Sequence, residues 1–198
     1  MSEMSTVDHL QWCVEEVLRN EIPGDFIETG IWKGGLPILM RGILKAWNVT
    51  DRVVWGADSF DGLPEPDPAE NLEDAIAWFL FAPLERLKIP RDFVENTFLK
   101  YGLLDDQVRF LEGWFSDTLP SAPIEKLALM RLDGDWYEST MTALNALYGK
   151  LSQGGYVIID DYGLLRGCRD AVDQFRQNHS ITTPLVAVNH QVVFWKKE

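Results

Sequence analysis

Five short apolar runs, each closing on a polar residue, constrain this chain more than any other feature. They are DFIET at 25–29, RVVWGAD at 52–58, QVRFLE at 107–112, LALMRLD at 127–133 and YVIIDD at 156–161. Runs that stay apolar at consecutive positions mark strands buried on both faces. Helical patterns lie between them. Val7, Leu10, Val14, Val17 and Leu18 share one side of residues 5–20, and Pro23–Gly24 stops that helix. Further helices are predicted over 36–47, 93–101, 137–151 and 164–178. Residues 61–71 read as loop, and 72–89 as a helix interrupted at Pro83. Gly154–Gly155 turns the chain into the fifth strand, and 185–188 and 192–196 form two strands across an Asn189–His190 turn. Strands alternating with helices mean an α/β fold. The expectation is a Rossmann-like sheet, mostly parallel, with a C-terminal antiparallel hairpin and helices on both faces.

The 198 residues, 46% of them hydrophobic, suit a single domain over 1–198. Residues 1–23 would be an N-terminal helix and 62–92 a variable cap. With 31 acidic and 18 basic side chains the net charge is −13, which argues against a nucleic-acid binder and against a basic membrane-surface helix. The longest apolar run, AIAWFLFAPL at 75–84, falls short of the ~20 residues that cross a bilayer. The start, MSEMSTVDHL, has no signal-peptide pattern. Cys13 and Cys168 form no CxxC pair, so two buried thiols in a cytoplasmic protein are expected.

In a parallel α/β sheet, ligands bind beyond the carboxyl ends of the strands. The informative residues therefore follow each apolar run. They are Glu28, Thr29 and Gly30 with the GIWKGG loop, then Asp58 and Ser59, then Gly113, Trp114 and Ser116. Glycines in the first loop let a ligand approach the backbone. An acid ending the second strand is the usual partner of a ribose diol. Asp58 lies 28 residues after Gly30, and the loop lacks both G-x-G-x-x-G and the P-loop pattern. A nucleoside without a pyrophosphate fits these features, and S-adenosylmethionine meets that description. The rival reading makes Gly30, Gly34 and Gly35 turn glycines and Asp58 a helix cap.

Asp133, Asp135, Asp160 and Asp161 end the fourth and fifth strands. Strands lie about 5 Å apart, so these acids would crowd, and crowded acids need a cation or a shared proton. Oxygen ligands without His or Cys suit Mg²⁺, Mn²⁺ or Ca²⁺. The rival reading gives Asp135 or Asp161 a helix cap. His9, His179 and His190 fall in none of these segments, so a histidine-based triad has no support.

The segments FIETGIWKGG, LMRGILKAW, VWGADSFDGLPEPD, RLDGDWYEST, GGYVIIDDYG and the terminal VFWKK resemble the macrocin O-methyltransferase family, the TylF type. The likeness runs over roughly residues 24–196. It implies a class I S-adenosylmethionine-dependent fold that uses magnesium and methylates sugar hydroxyls of antibiotics. By resemblance, Asp133, Asp160 and Asp161 are metal ligands and Asp135 is the general base. Thr29, Gly30, Asp58, Ser59 and Ser116 resemble cofactor contacts; strand-end placement adds Glu28, Gly113 and Trp114. Family members are generally longer at the N-terminus, and region 62–92 differs, with Trp78, Phe79 and Phe81 in an aromatic helix read as core or dimer packing against a rival role as substrate lid.

The expected function is magnesium-dependent methyl transfer to a hydroxyl of a small natural product, with a sugar or vicinal diol as acceptor. Alternatives are a magnesium-dependent phenolic or catechol-type O-methyltransferase, a cofactor-binding partner protein without activity, and a nicotinamide-linked oxidoreductase. The expected partner is the small-molecule acceptor, with neither nucleic acid nor membrane; a homodimer is left open.

Overall fold

The computed structural model describes residues 3–69, 71–81 and 87–198. Among these residues seven strands make one sheet: β1 (Asp25–Thr29), β2 (Val54–Asp58), β3 (Val108–Glu112), β4 (Leu127–Leu132), β5 (Leu151–Ile159), β6 (Val186–Ala187) and β7 (Val193–Lys196). Their order is β3-β2-β1-β4-β5-β7-β6. The first five pair in parallel, while β7 runs antiparallel to both β5 and β6. The expected mostly parallel sheet with a C-terminal antiparallel pair is therefore what the chain forms.

Both faces are covered, as the unbroken apolar runs require. On one face Phe26, Val54, Leu129 and Ile158 pack under α1 (Met4–Arg19) and α2 (Gly35–Ala46), through Leu10, Val14, Met40 and Leu44. On the other, Ile27, Met130, Val157 and Ile159 pack under α6 (Tyr137–Leu147) and α7 (Arg166–Asn178), through Leu144, Leu147, Val172 and Phe175. Fully burying one such side chain contributes about 1.5–3 kcal/mol. A third cluster, Ile31, Phe60, Val94, Phe98 and Leu103, seats α4 (Arg91–Lys100) beside β3. Between β2 and α4 lies α3 (Leu72–Phe81), and α5 (Phe115–Thr118) is one turn after β3. No helix among the described residues is long and apolar enough to cross a membrane.

Three expectations are corrected. The first helix ends at Arg19, ahead of Pro23–Gly24, where the Asn20 N–H closes on the Glu16 carbonyl and the Glu21 N–H on the Leu18 carbonyl. The helix predicted over 137–151 stops at Leu147; a 3₁₀ turn follows, and β5 begins at Leu151. Gly154–Gly155 therefore lies inside the strand. Leu127 faces Leu151 while Leu129 faces Tyr156, so the glycines absorb a bulge. Gly154 has φ +82°, and a Cβ on Gly155 would press on the Ala128 carbonyl oxygen at 2.7 Å. The interruption predicted at Pro83 lies outside the described residues. Cys13 and Cys168 are both free and buried, as expected.

Candidate active site

Backbone hydrogen bonds continue past the strand ends and knit the following residues into one rim. Gly30 N–H donates to the Ala57 carbonyl at 2.8 Å and Gly113 N–H to the Asp58 carbonyl at 3.0 Å. Asp133 N–H donates to the Thr29 carbonyl at 3.0 Å and Asp160 N–H to the Leu132 carbonyl at 2.9 Å. Gly30 is needed where it stands. Its φ is +79°, and a Cβ there would collide with the Asp133 carbonyl oxygen.

Above this rim opens a cavity of about 1180 Å³. Its wall carries Glu28, Gly30, Asp58, Ser59, Trp114 and Ser116 from the predicted cofactor set, and Asp133, Asp135, Asp160 and Asp161 from the acids. Thr29 and Gly113 do not reach the wall. The Thr29 side chain is fully buried, and Gly113 contributes its N–H to the rim.

Asp58 caps no helix, because the next one starts at Leu72. It braces two loops instead. One oxygen accepts the Phe60 N–H at 2.8 Å and the other the Trp32 N–H at 3.1 Å. Burial raises its pKa while these bonds pull it back. A carboxylate has about four lone-pair sites, so Asp58 can still accept from a ligand. Ser59 Oγ closes its own turn, donating to the Gly62 carbonyl at 2.8 Å.

The acids divide into two sets. Asp133, Asp135 and Asp161 each bring an oxygen to within 4.8 Å of the others. Asp160 Oδ1 instead accepts from Arg131, a side chain that none of the sequence patterns singled out. Arg131 is 1% exposed on β4. Its Nη1 donates to Glu28 and, at 2.9 Å, to Asp133; its Nη2 donates to Asp160. Glu28 is thus an ion-pair partner beneath the cavity. A lone arginine inside the run LALMRLD was the available signal, because a buried charge requires partners.

Burial is the largest influence on Glu28, Asp135, Asp160 and Asp161. It pushes Asp135 and Asp161 up, helped by the charges of neighbouring aspartates. It raises Asp160, with Asp133 adding to the rise and Arg131 opposing it. Glu28 is pushed up to about 8 by burial, against the pull of Arg131. Asp161 Oδ2 is buried with no hydrogen-bond partner among the described residues. An orphaned carboxylate oxygen beside two converging carboxylates fits a hard divalent cation.

The cap readings for Asp135 and Asp161 are overturned. Helix α6 has Trp136 at its N-cap with no side-chain cap, and the Tyr137 N–H goes to Asp74 Oδ2 at 2.7 Å. Helix α7 has Leu165 at its N-cap, four residues beyond Asp161. No histidine lines the cavity: His9 packs on Phe194, His179 stacks on Phe175, and His190 lies exposed.

A family model described as macrocin-O-methyltransferase (TylF) matches residues 1–197. The chain belongs to that family. It is an S-adenosylmethionine-dependent O-methyltransferase, as the family resemblance in its motifs implied. It is 47% identical over 201 residues to demethyldecarbamoylnovobiocin O-methyltransferase of Streptomyces niveus, covering all of this chain and 75% of that protein. It is 47% identical over 199 residues to mycinamicin III 3''-O-methyltransferase of Micromonospora griseorubida, covering all of this chain and 78% of that protein. The solved structure of the O-methyltransferase NovP superimposes with a TM-score of 0.94 at 47% identity, over 98% of this chain and 79% of that one.

Proposed function

We propose that this family member methylates a hydroxyl of a sugar or other vicinal diol on a small natural product, with a magnesium ion bound at the strand-end acids. The observation that carries the reading is the convergence of Asp133, Asp135 and Asp161 on the floor of the cavity. The activities for which the relatives are named, on demethyldecarbamoylnovobiocin and mycinamicin III, support the acceptor class.

Asp133 and Asp161 would hold the ion, with the orphaned Asp161 Oδ2 the most evident donor, and Asp160 would join them only through the oxygen that Arg131 does not take. A divalent cation bound there would lower the pKa of an acceptor hydroxyl, and S-adenosylmethionine supplies the methyl group. Asp135 would receive the hydroxyl proton. Its raised pKa suits a base that must hold a proton after the transfer. Arg131 keeps Glu28 and Asp160 from repelling the rest of the cluster. Asp58 would accept from the cofactor ribose with the lone-pair capacity its backbone bonds leave free. Two free buried thiols support a cytoplasmic setting.

The metal reading has a pH signature. Asp135, Asp160 and Asp161 have folded pKa values above their usual range. In that window the folded protein binds more protons than the unfolded chain, so metal-free stability falls as pH rises. A cation that replaces those protons helps most at high pH. Saturating Mg²⁺ should therefore raise the melting temperature more at about pH 8 than at about pH 5, and chelator should abolish turnover. Equal shifts at both pH values, or full activity in excess chelator, would count against the metal.

Asp58→Ala should weaken binding of S-adenosylhomocysteine by about 1–3 kcal/mol in calorimetry. The variant loses a ribose acceptor and also the brace on the Trp32 and Phe60 amides. Unchanged affinity would remove Asp58 from the cofactor site.

A further inference from the structure

Asp74 stands on α3, outside the strand-end set, and is buried at 3% exposure. Its Oδ2 accepts the Tyr137 N–H at 2.7 Å, at the first turn of α6. Its carboxylate also lies against Gly167, in the first turn of α7, where a Cβ would collide with both oxygens. Neither α6 nor α7 has a capping side chain of its own. One carboxylate from α3 thus faces the positive ends of two helices. These two helices follow the catalytic strand ends, α6 after Asp133–Asp135 and α7 after Asp160–Asp161.

Asp135 itself has φ +58°. A non-glycine residue in that region is uncommon and persists only where its surroundings over-determine it. Its C-terminal neighbours supply the constraint. Trp136 N–H closes on the Gly134 carbonyl at 2.6 Å, and Trp136 Nε1 donates to the Pro64 carbonyl at 3.1 Å. The next residue, Tyr137, is tied to Asp74. The chain just after Asp135 is therefore bolted twice to the region between β2 and α4. An exposed ion pair, Arg166 with Glu73 at 2.7 Å, runs alongside the same joint.

We propose that Asp74 is a positioning residue for methyl transfer: it clasps α3 to the starts of α6 and α7 and so holds Asp135 in its left-handed conformation. The proposal rests on the reading of Asp135 as the base. Gly167 is part of the device, because only a residue without Cβ lets the carboxylate lie against α7.

Hydrogen–deuterium exchange on the full chain tests the clasp directly. Asp74→Ala should speed exchange in residues 134–142 about fivefold, the size of a lost helix cap, with the β4 and β5 amides unchanged. Asp74→Asn keeps an acceptor oxygen and should restore most of the protection. Gly167→Ala should reproduce the Asp74→Ala pattern with Asp74 intact. With mycinamicin III as the acceptor tried, Asp74→Ala should lower kcat about tenfold, since small misplacements of a reacting group are costly. Affinity for S-adenosylhomocysteine should stay at the wild-type value. Unchanged exchange in 134–142, or a uniform rise over the whole chain, overturns the clasp. Wild-type kcat in Asp74→Ala overturns its positioning role. A wild-type enzyme inactive on mycinamicin III counts against that acceptor alone, and the exchange result still decides the clasp.

Discussion

Arg131→Leu should destabilise the protein by about 3–5 kcal/mol, because it strips the cation from a buried cluster and leaves its acids facing one another. Arg131 and Glu28 have side-chain exposures of 1% and 3%, so water cannot take the place of the lost partner. Asp160 and Asp133 lose a donor at the same time. For a chain of this length the melting temperature should fall by roughly 10 °C. Chemical denaturation of the variant against wild type measures the loss. The double variant Arg131→Leu with Glu28→Leu should recover part of it, because replacing both members of a buried pair costs less than orphaning one. A single-variant loss below about 1 kcal/mol, the size of an ordinary surface change, would show that the cluster does not need its cation.

This arginine also marks where sequence reading stops. The run LALMRLD betrays a strand because its apolar residues are consecutive, and Met130 and Leu132 on one face, Leu129 on the other, are all buried. The parallel sheet and its polar rim follow from the same patterning, which is why Asp58, Asp133, Asp135, Asp160 and Asp161 could be placed at one edge before any contact was known. Pairing across strands has no such local trace. Arg131 meets Glu28 from a strand 103 residues earlier and Asp160 from one 29 residues later. Asp74 meets Tyr137 across 63 residues. Nothing in the periodicity of either segment encodes those partners.

The error at Gly154–Gly155 has a different origin. Paired glycines between apolar segments usually mean a turn, and here they accommodate a bulge as β5 shifts register against β4. The cap readings of Asp135 and Asp161 failed for a third reason. Aspartate before a helix is a favoured cap, but the helices start at Tyr137 and Arg166 and are served by a residue from elsewhere. The two aspartates are thereby left free to face the cavity, which a capping role would have prevented.

Asp135→Asn should be slower and more stable at once. Asparagine tolerates the left-handed backbone at φ +58° about as well as aspartate, so the variant should fold without added strain. Its side chain has the same shape but cannot accept a proton from an acceptor hydroxyl. Loss of a general base typically lowers kcat by ~10²–10⁴, and that is the drop expected here, with affinity for S-adenosylhomocysteine retained. The stability gain follows from the electrostatics. Burial and the charges of Asp133, Asp160 and Asp74 oppose ionisation of Asp135, so a folded pKa of about 7 makes its charge unfavourable above that pH. That contribution to stability is present at low pH and is lost as pH rises through the folded value. A neutral amide removes the penalty, so in metal-free buffer the variant should melt higher than wild type at about pH 8 and equal to it at about pH 4. Thermal denaturation at the two pH values and single-turnover rates supply the two halves of the test. A variant that turns over normally would leave proton removal to another group. One that melts lower than wild type at high pH would mean that the Asp135 charge supports the fold rather than burdening it.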